Sequence, residues 1–174
     1  MENLKEHLNN RQCEKTDFSK EDATFMQMAI DLSIENIEHG GGPFGAIIVK
    51  DGKVIAVGSN RVVPNNDPTA HAEISAIREA CRKLKTFKLD GCTIYSSCEP
   101  CPMCLSAIYW SRISRLCYGN TKTDAAKIHF DDSFIYNQLH LKNNERTLQC
   151  EHFMRNEALI AFQKWASKED KVEY

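Results

Sequence analysis

Apolar residues recur at helical spacing through Phe25, Met28, Ala29 and Leu32, and Ser19 with Asp22 three positions later forms a capping-box pattern ahead of them. The pattern predicts a helix that opens at Ser19 and ends at Gly40-Gly41-Gly42. Two strand-like runs follow, Gly45 to Lys50 and Lys53 to Gly58, with Asp51-Gly52 between them as a hairpin signal. A loop from Pro64 to Pro68 leads into a second helix that carries Ile74, Ile77, Cys81 and Leu84 on one face. Arg82, Lys83 and Lys85 close it, where cations suit the negative end of the helix dipole. Cys92 to Ser96 reads as a strand, Pro102 to about Trp110 as a helix, and Ile113 to Tyr118 as a strand stopped by Gly119-Asn120. Residues 121–142 fit neither period. Arg146 to Cys150 reads as a short last strand, and Ala158, Ala161, Phe162 and Trp165 mark a final helix. A helix, a hairpin and then alternating strands and helices imply an α/β fold, a helix–sheet–helix sandwich with some parallel pairing. Residues 1–18 are polar and read as a mobile N-terminal extension ahead of one domain over residues 19–174.

The length of 174 residues suits a single domain. With 22 Lys+Arg against 24 Asp+Glu the net charge is −2, which argues against a dedicated basic nucleic-acid surface. No apolar run approaches the roughly 18 residues of a membrane span. The opening MENLKEHLNNRQ has no signal-peptide core, so the expected location is the cytoplasm. In that reducing setting eight cysteines point to metal binding or core packing rather than disulfides. Cys92 and Cys117 fall in strand patterns and read as core. Cys98, Cys101 and Cys104 are crowded together instead.

His71-Ala72-Glu73 and Pro100-Cys101-Pro102-Met103-Cys104 each sit where the chain runs into the first turn of an expected helix. A helical turn puts the sulfurs of Cys101 and Cys104 on one side, and Pro102 suits an early helical position. The positive end of the helix dipole favours ionised, metal-binding thiolates, and a neutral His71 imidazole completes three ligands. Zinc takes four, so three protein ligands leave a place for water, and bound zinc lowers the pKa of that water from 15.7 to about 7. Glu73, two residues beyond a ligand, is placed to move protons. The rival arrangement adds Cys98 as a fourth ligand, giving a closed Cys₃His structural site in which Glu73 is an ordinary surface carboxylate near a helix N-terminus.

The His71-x-Glu73 and Pro100-Cys101-x-x-Cys104 pair matches the signature of zinc nucleobase deaminases. The segments GGPFGAIIVKDG, DPTAHAEISAIREAC, SSCEPCPMCLSAIYWSR and FDDSFIY, with the terminal Glu-Tyr, resemble the guanine deaminases of the cytidine-deaminase-like fold from about residue 20 to the C-terminus. The resemblance implies a three-layer sandwich around a mixed five-stranded sheet. It implies one Zn²⁺ per chain on His71, Cys101 and Cys104, and hydrolysis of guanine to xanthine and ammonia by a zinc-bound hydroxide with Glu73 as proton shuttle. Substrate contacts would come from Phe44, Asn60, Ala72, Asp132 and Tyr174, with Asp131 as the alternative to Asp132. A homodimer with exchanged C-terminal segments is also implied. His129 is assigned to the surface or the pocket rim. Guanosine deaminases and tRNA adenosine deaminases share parts of the pattern, although the mixed-charge tail Lys164 to Tyr174 disfavours RNA. Cytosine deaminases share the zinc motif but not FDDSFIY. A closed zinc-binding module without turnover is the non-enzymatic alternative.

Overall fold

The first helix begins because Ser19 caps it. In the computed structural model, which describes residues 18–173, the Ser19 Oγ accepts from the Asp22 N–H (3.0 Å) and the Asp22 carboxylate accepts from the Ser19 N–H (2.9 Å). Helix α1 (Lys20–Glu38) buries Asp22, Ala29, Ser33 and Asn36, so its inward stripe is more polar than the apolar spacing suggests, and Met28 lies outward. The hairpin follows as expected: β1 (Gly45–Lys50) and β2 (Lys53–Ser59) are joined by Asp51 and Gly52, whose φ values of 50° and 70° give the double left-handed turn that matches strand twist. The loop expected at Pro64 instead holds one turn of helix, α2 (Val62–Asn65), ended by left-handed Asn66.

Helix α3 (Ala72–Leu84), strand β3 (Thr93–Cys98), helix α4 (Pro102–Trp110) and strand β4 (Arg115–Asn120) complete the body. Strand β4 keeps Gly119 and Asn120, read above as its stop, because Asn120 still pairs with Cys98. The strand order is β2-β1-β3-β4, with β1 antiparallel to both neighbours and β3 parallel to β4 across the α4 crossover. Strand β1 is buried on both faces. Ala46 and Ile48 meet Ala72, Ala76, Ala80 and Ile108 of α3 and α4, while Ile47 and Val49 meet Ala29, Tyr95 and Cys117 on the α1 side. This is the expected three-layer mixed sandwich, with Cys92 and Cys117 in its core.

The sheet has four strands rather than five among the described residues. Residues 146–150 join no sheet edge, and the start of the segment is tied to a neighbouring helix instead: Arg146 Nε donates to the Gln138 carbonyl (3.1 Å) and the Thr147 N–H to the Gln138 side chain (2.8 Å). The stretch without a clear period resolves into α5 (Lys122–Lys127) and α6 (Ser133–His140), and the chain ends in α7 (Arg155–Ala166). No residue of α6 or α7 is buried. The extension assigned to residues 1–18, apart from Phe18, lies outside the described residues, as does Tyr174. No helix among the described residues is long and apolar enough to cross a membrane.

Asp22 fastens α1 to the sheet, since its carboxylate accepts from the Tyr95 hydroxyl (2.6 Å) and from Arg115 (2.5 Å). Arg115, then the Tyr95 hydroxyl, holds the Asp22 carboxyl well below the usual carboxylate range. A carboxylate whose folded value lies below its unfolded value, near 3.9, contributes stability above about pH 4 and loses it as pH falls. Asp22→Asn is expected to cost about 2–3 kcal/mol at pH 7, less than a fully buried pair because Arg115 is partly solvated. The variant should also flatten the decline in stability below about pH 4. Urea unfolding across a pH series checks both effects.

Candidate active site

Helices α3 and α4 start beside one another at the end of the sheet where β3 finishes. His71 and Cys101 occupy their N-cap positions in extended backbone (ψ 158° and 168°), and neither side chain is used to cap its helix. Cys104 lies in the first turn of α4, which Pro102 opens. The His71 Nδ1 is 3.5 Å from Cys101 Sγ and 3.4 Å from Cys104 Sγ, and all three donor atoms lie within 4.8 Å of one another. Tetrahedral zinc with bonds of about 2.0–2.1 Å to nitrogen and 2.3 Å to sulfur sets such donors roughly 3.6 Å apart. The trio therefore fits zinc without rearrangement.

The electrostatics agree. The Cys101 thiol falls to about 4, chiefly through the hydrogen bond from Cys104 and with help from His71, against the opposing effect of burial. The Cys104 thiol is pushed up because it is the donor to Cys101 and is itself buried. One sulfur is thus ready-ionised at the positive ends of two helices. Cys98 is different. Burial, then the Glu73 charge, pushes its thiol up to about 11, and its Sγ donates to the Thr121 carbonyl (3.7 Å) away from the trio. Cys98 stands outside the donor group, so the geometry does not supply the fourth sulfur of a closed Cys₃His site.

Glu73 lies in the first turn of α3, 6% exposed, and accepts from the Ser96 hydroxyl (3.4 Å). Burial raises its pKa above the ordinary carboxylate value. His71, Glu73 and Cys101 line the floor of a cavity of about 380 Å³. Phe44 and Asn60 form one wall, with Gly42, Val62 and Val63 beside them. Phe130, Asp132 and Ile135 continue the lining, and Phe44 meets Phe130 edge to face with ring centroids 5.0 Å apart. Asn60 is buried, and its Oδ1 accepts from the Val62 N–H (3.3 Å), which leaves the amide NH₂ for the cavity.

Of the acidic pair, Asp131 spends its carboxylate on the Ser133 N–H (2.9 Å) and is exposed, whereas Asp132 is half-buried and its pKa is raised, by burial first and then by the Cys101 charge. Both line the cavity. His129 lies at its rim in left-handed backbone (φ 69°). Ala72 does not line the cavity, because its methyl is fully buried in the core between α3 and the sheet. Sequence reasoning missed Val62, Val63, Phe130 and Ile135. Phe130 and Ile135 belong to the FDDSFIY segment already singled out, but nothing in a local pattern says that an apolar residue near a helix end faces a cavity.

Residues 19–120, which carry both halves of the metal trio, match the family described as the cytidine and deoxycytidylate deaminase zinc-binding region. The chain belongs to this family. Within these zinc-binding deaminases it is 51% identical over 152 residues to guanine deaminase of Bacillus subtilis, covering 87% of this chain and 97% of that one. The X-ray structure of guanine deaminase from Bacillus subtilis superposes with a TM-score of 0.86 at 49% identity, covering 90% of this chain and 99% of that one. A tRNA-specific adenosine deaminase of Buchnera aphidicola is 40% identical over 139 residues, 80% of this chain and 89% of that one. The family's metal is zinc, in agreement with the donor set. Cys101→Ala and Cys104→Ala are each expected to lose bound zinc, while Cys98→Ala keeps about one zinc per chain. Elemental analysis of the dialysed proteins distinguishes the two behaviours, and loss of zinc from Cys98→Ala would restore the closed site.

Proposed function

We propose that this deaminase hydrolyses guanine to xanthine and ammonia. The observation that carries the reading is the buried Glu73 carboxyl beside a three-donor metal set at the floor of a purine-sized cavity, in a chain matching a guanine deaminase over nearly its whole length. Zinc held by His71, Cys101 and Cys104 supplies Lewis acidity, bringing the pKa of water toward 7. Water adds to the amidine carbon that bears the exocyclic amine, forming a C–O bond, and the C–N bond to the amine then breaks. Glu73 accepts a proton from the water and delivers it to the adjacent ring nitrogen. It next carries the proton of the new hydroxyl group to the departing amine, which leaves as ammonia as the hydroxyl oxygen becomes the carbonyl of xanthine. A carboxyl whose pKa burial raises toward neutrality suits both duties.

The walls supply orientation. The Asn60 amide donates to an acceptor on the base edge, the Asp132 carboxylate accepts from the purine N–H groups, and Phe44 packs on the ring face. We assign closure of the cavity to the terminal Tyr174. An RNA substrate is disfavoured by the rim, where Glu99, Asp131 and Asp132 outnumber Lys122. Ammonia release from zinc-loaded protein, offered guanine, guanosine, adenine, cytosine and tRNA in parallel, tests the assignment. Guanine is the expected substrate, and release from guanosine or tRNA alone overturns it. Glu73→Ala should retain zinc and lose roughly 10²–10⁴-fold in kcat.

We further infer a homodimer in which C-terminal segments are exchanged. It is supported by α7, where Phe162, Trp165 and Ile160 remain exposed on a helix with no buried residue. A reducing compartment such as the cytoplasm suits the zinc-binding thiols. Exchange has a consequence that simple contact does not. Glu73→Ala chains and chains lacking Tyr174, each inactive alone, should regain activity when unfolded together and refolded, since a mixed dimer rebuilds one complete site. Failure of the mixture to recover activity, in a species of twice the 19.8 kDa chain mass, argues against exchange.

A further inference from the structure

We propose that Asn36, which does not line the cavity, is a positioning residue that sets where Asn60 and Phe44 stand against the base. The inference rests on the reading of Asn60 as a base contact. Asn36 lies near the end of α1 and is 4% exposed. Its amide nitrogen donates to two carbonyls, those of Gly42 and Asn60, each at 2.8 Å. The Gly42 carbonyl also accepts from the Phe44 N–H (2.8 Å), and the Phe44 carbonyl accepts from the Asn60 N–H (3.1 Å). One side-chain amide therefore closes a ring of hydrogen bonds through Gly42, Phe44 and Asn60, and all three line the cavity.

The loop is built around that amide. The Asn36 backbone carbonyl accepts from the Gly41 N–H (3.0 Å), and a Cβ at Gly41 would collide with the Asn36 amide and the Asn60 carbonyl. Two carbonyls converging on one buried point need two N–H donors from that point. A primary amide supplies both without charge; a hydroxyl supplies one and a carboxylate none. Helix packing alone gives no reason for such a group, because Asn is a weak helix former and an apolar residue would bury more favourably. Without the amide the Asn60 carbonyl loses its side-chain partner, and the Asn60 and Phe44 segment is free to drift. Small displacements of this kind weaken binding and orientation of a substrate without touching the proton shuttle.

Steady-state kinetics on guanine, with zinc content and thermal unfolding measured on the same samples, tests this assignment. Asn36→Ala and the shape-preserving Asn36→Asp should each raise KM roughly tenfold with kcat within about threefold and zinc retained, the split expected when binding rather than proton transfer is lost. Asp22→Asn, on the same helix and remote from the cavity, supplies the control: it should lower thermal stability and leave KM unchanged. Asn60→Ala should raise KM as well. If Asn60→Ala raises KM while both Asn36 variants lose only thermal stability, or fail to yield folded zinc protein, Asn36 is structural and the positioning role is overturned. If Asn60→Ala leaves KM unaltered, the base-contact reading fails and the proposal falls with it.

Discussion

Helix α3 lies against β2 with no side chain between the two backbones at Gly58. A Cβ there would collide with the Ala72 carbonyl and the Ala76 amide, and Ala72, Ala76 and Ala80 continue the close seam along the helix. The approach fixes where α3 begins, and so where His71 and Glu73 project. On the far face Gly45 does the same for α1, where a Cβ would meet the Ala29 carbonyl and the Ser33 amide. The sheet is thus clamped between helices at glycine and alanine contacts, which have few rotamers to rearrange and little room to slide. Metal donors held 3.4–3.5 Å from the His71 nitrogen gain from that rigidity, because the starts of two packed helices leave them little room to drift.

The chemistry of the site follows from how different partners act on groups a few residues apart. Cys98 and Cys101 are both thiols at the end of β3, yet one is driven up and the other down. Cys101 meets a hydrogen-bond donor, an imidazole and a helix N-terminus; Cys98 meets a backbone carbonyl and a neighbouring carboxylate. Glu73 is buried, and that burial outweighs its hydrogen bonds, so its proton is held more tightly than a surface carboxyl would hold it. Zinc needs deprotonated ligands and proton transfer needs a group near neutrality. The pocket lowers the Cys101 thiol and raises the Glu73 carboxyl because each side chain finds different surroundings.

The parts of this arrangement that depend on local rules were legible in the sequence. Ser19 with Asp22, Asp51 with Gly52 and Pro102 at a helix start are short-range signals, and each stands where its pattern put it. Within the metal trio Cys101 and Cys104 were legible because helical geometry converts their spacing into proximity, while His71, thirty residues away, was joined to them by the deaminase signature. Longer-range competition was not legible. Residues 146–150 have strand-like composition, but in the fold Arg146 and Thr147 bond to Gln138 and the segment joins no sheet. Met28 has the hydrophobicity for the inner face of α1, yet Asp22 and Asn36 take that face because their partners lie on other elements, and Ser33 joins them with its hydroxyl on the Ile30 carbonyl of the same helix. Ala72 stands between two site residues in sequence, but the helix turns its methyl into the core.

The C-terminal third carries a different kind of constraint. An aromatic side chain buries 150–250 Å² when it packs, worth roughly 4–6 kcal/mol at about 25 cal/mol per Å². Phe153, Phe162 and Trp165 forgo much of that within one chain, and Leu148 and Ile160 remain exposed beside them. Interspersed with Glu157 and Lys164, these residues form neither the uniformly basic face that an RNA would need nor a helix amphipathic enough to sit on its own core. That exposed apolar surface is the observation behind the dimer proposed above, in which a second copy would bring an identical surface to it. On the proposed reading the exposed helix and the closure of the cavity are one feature: a segment that the core of its own chain does not bury is the segment that would reach a site on its partner.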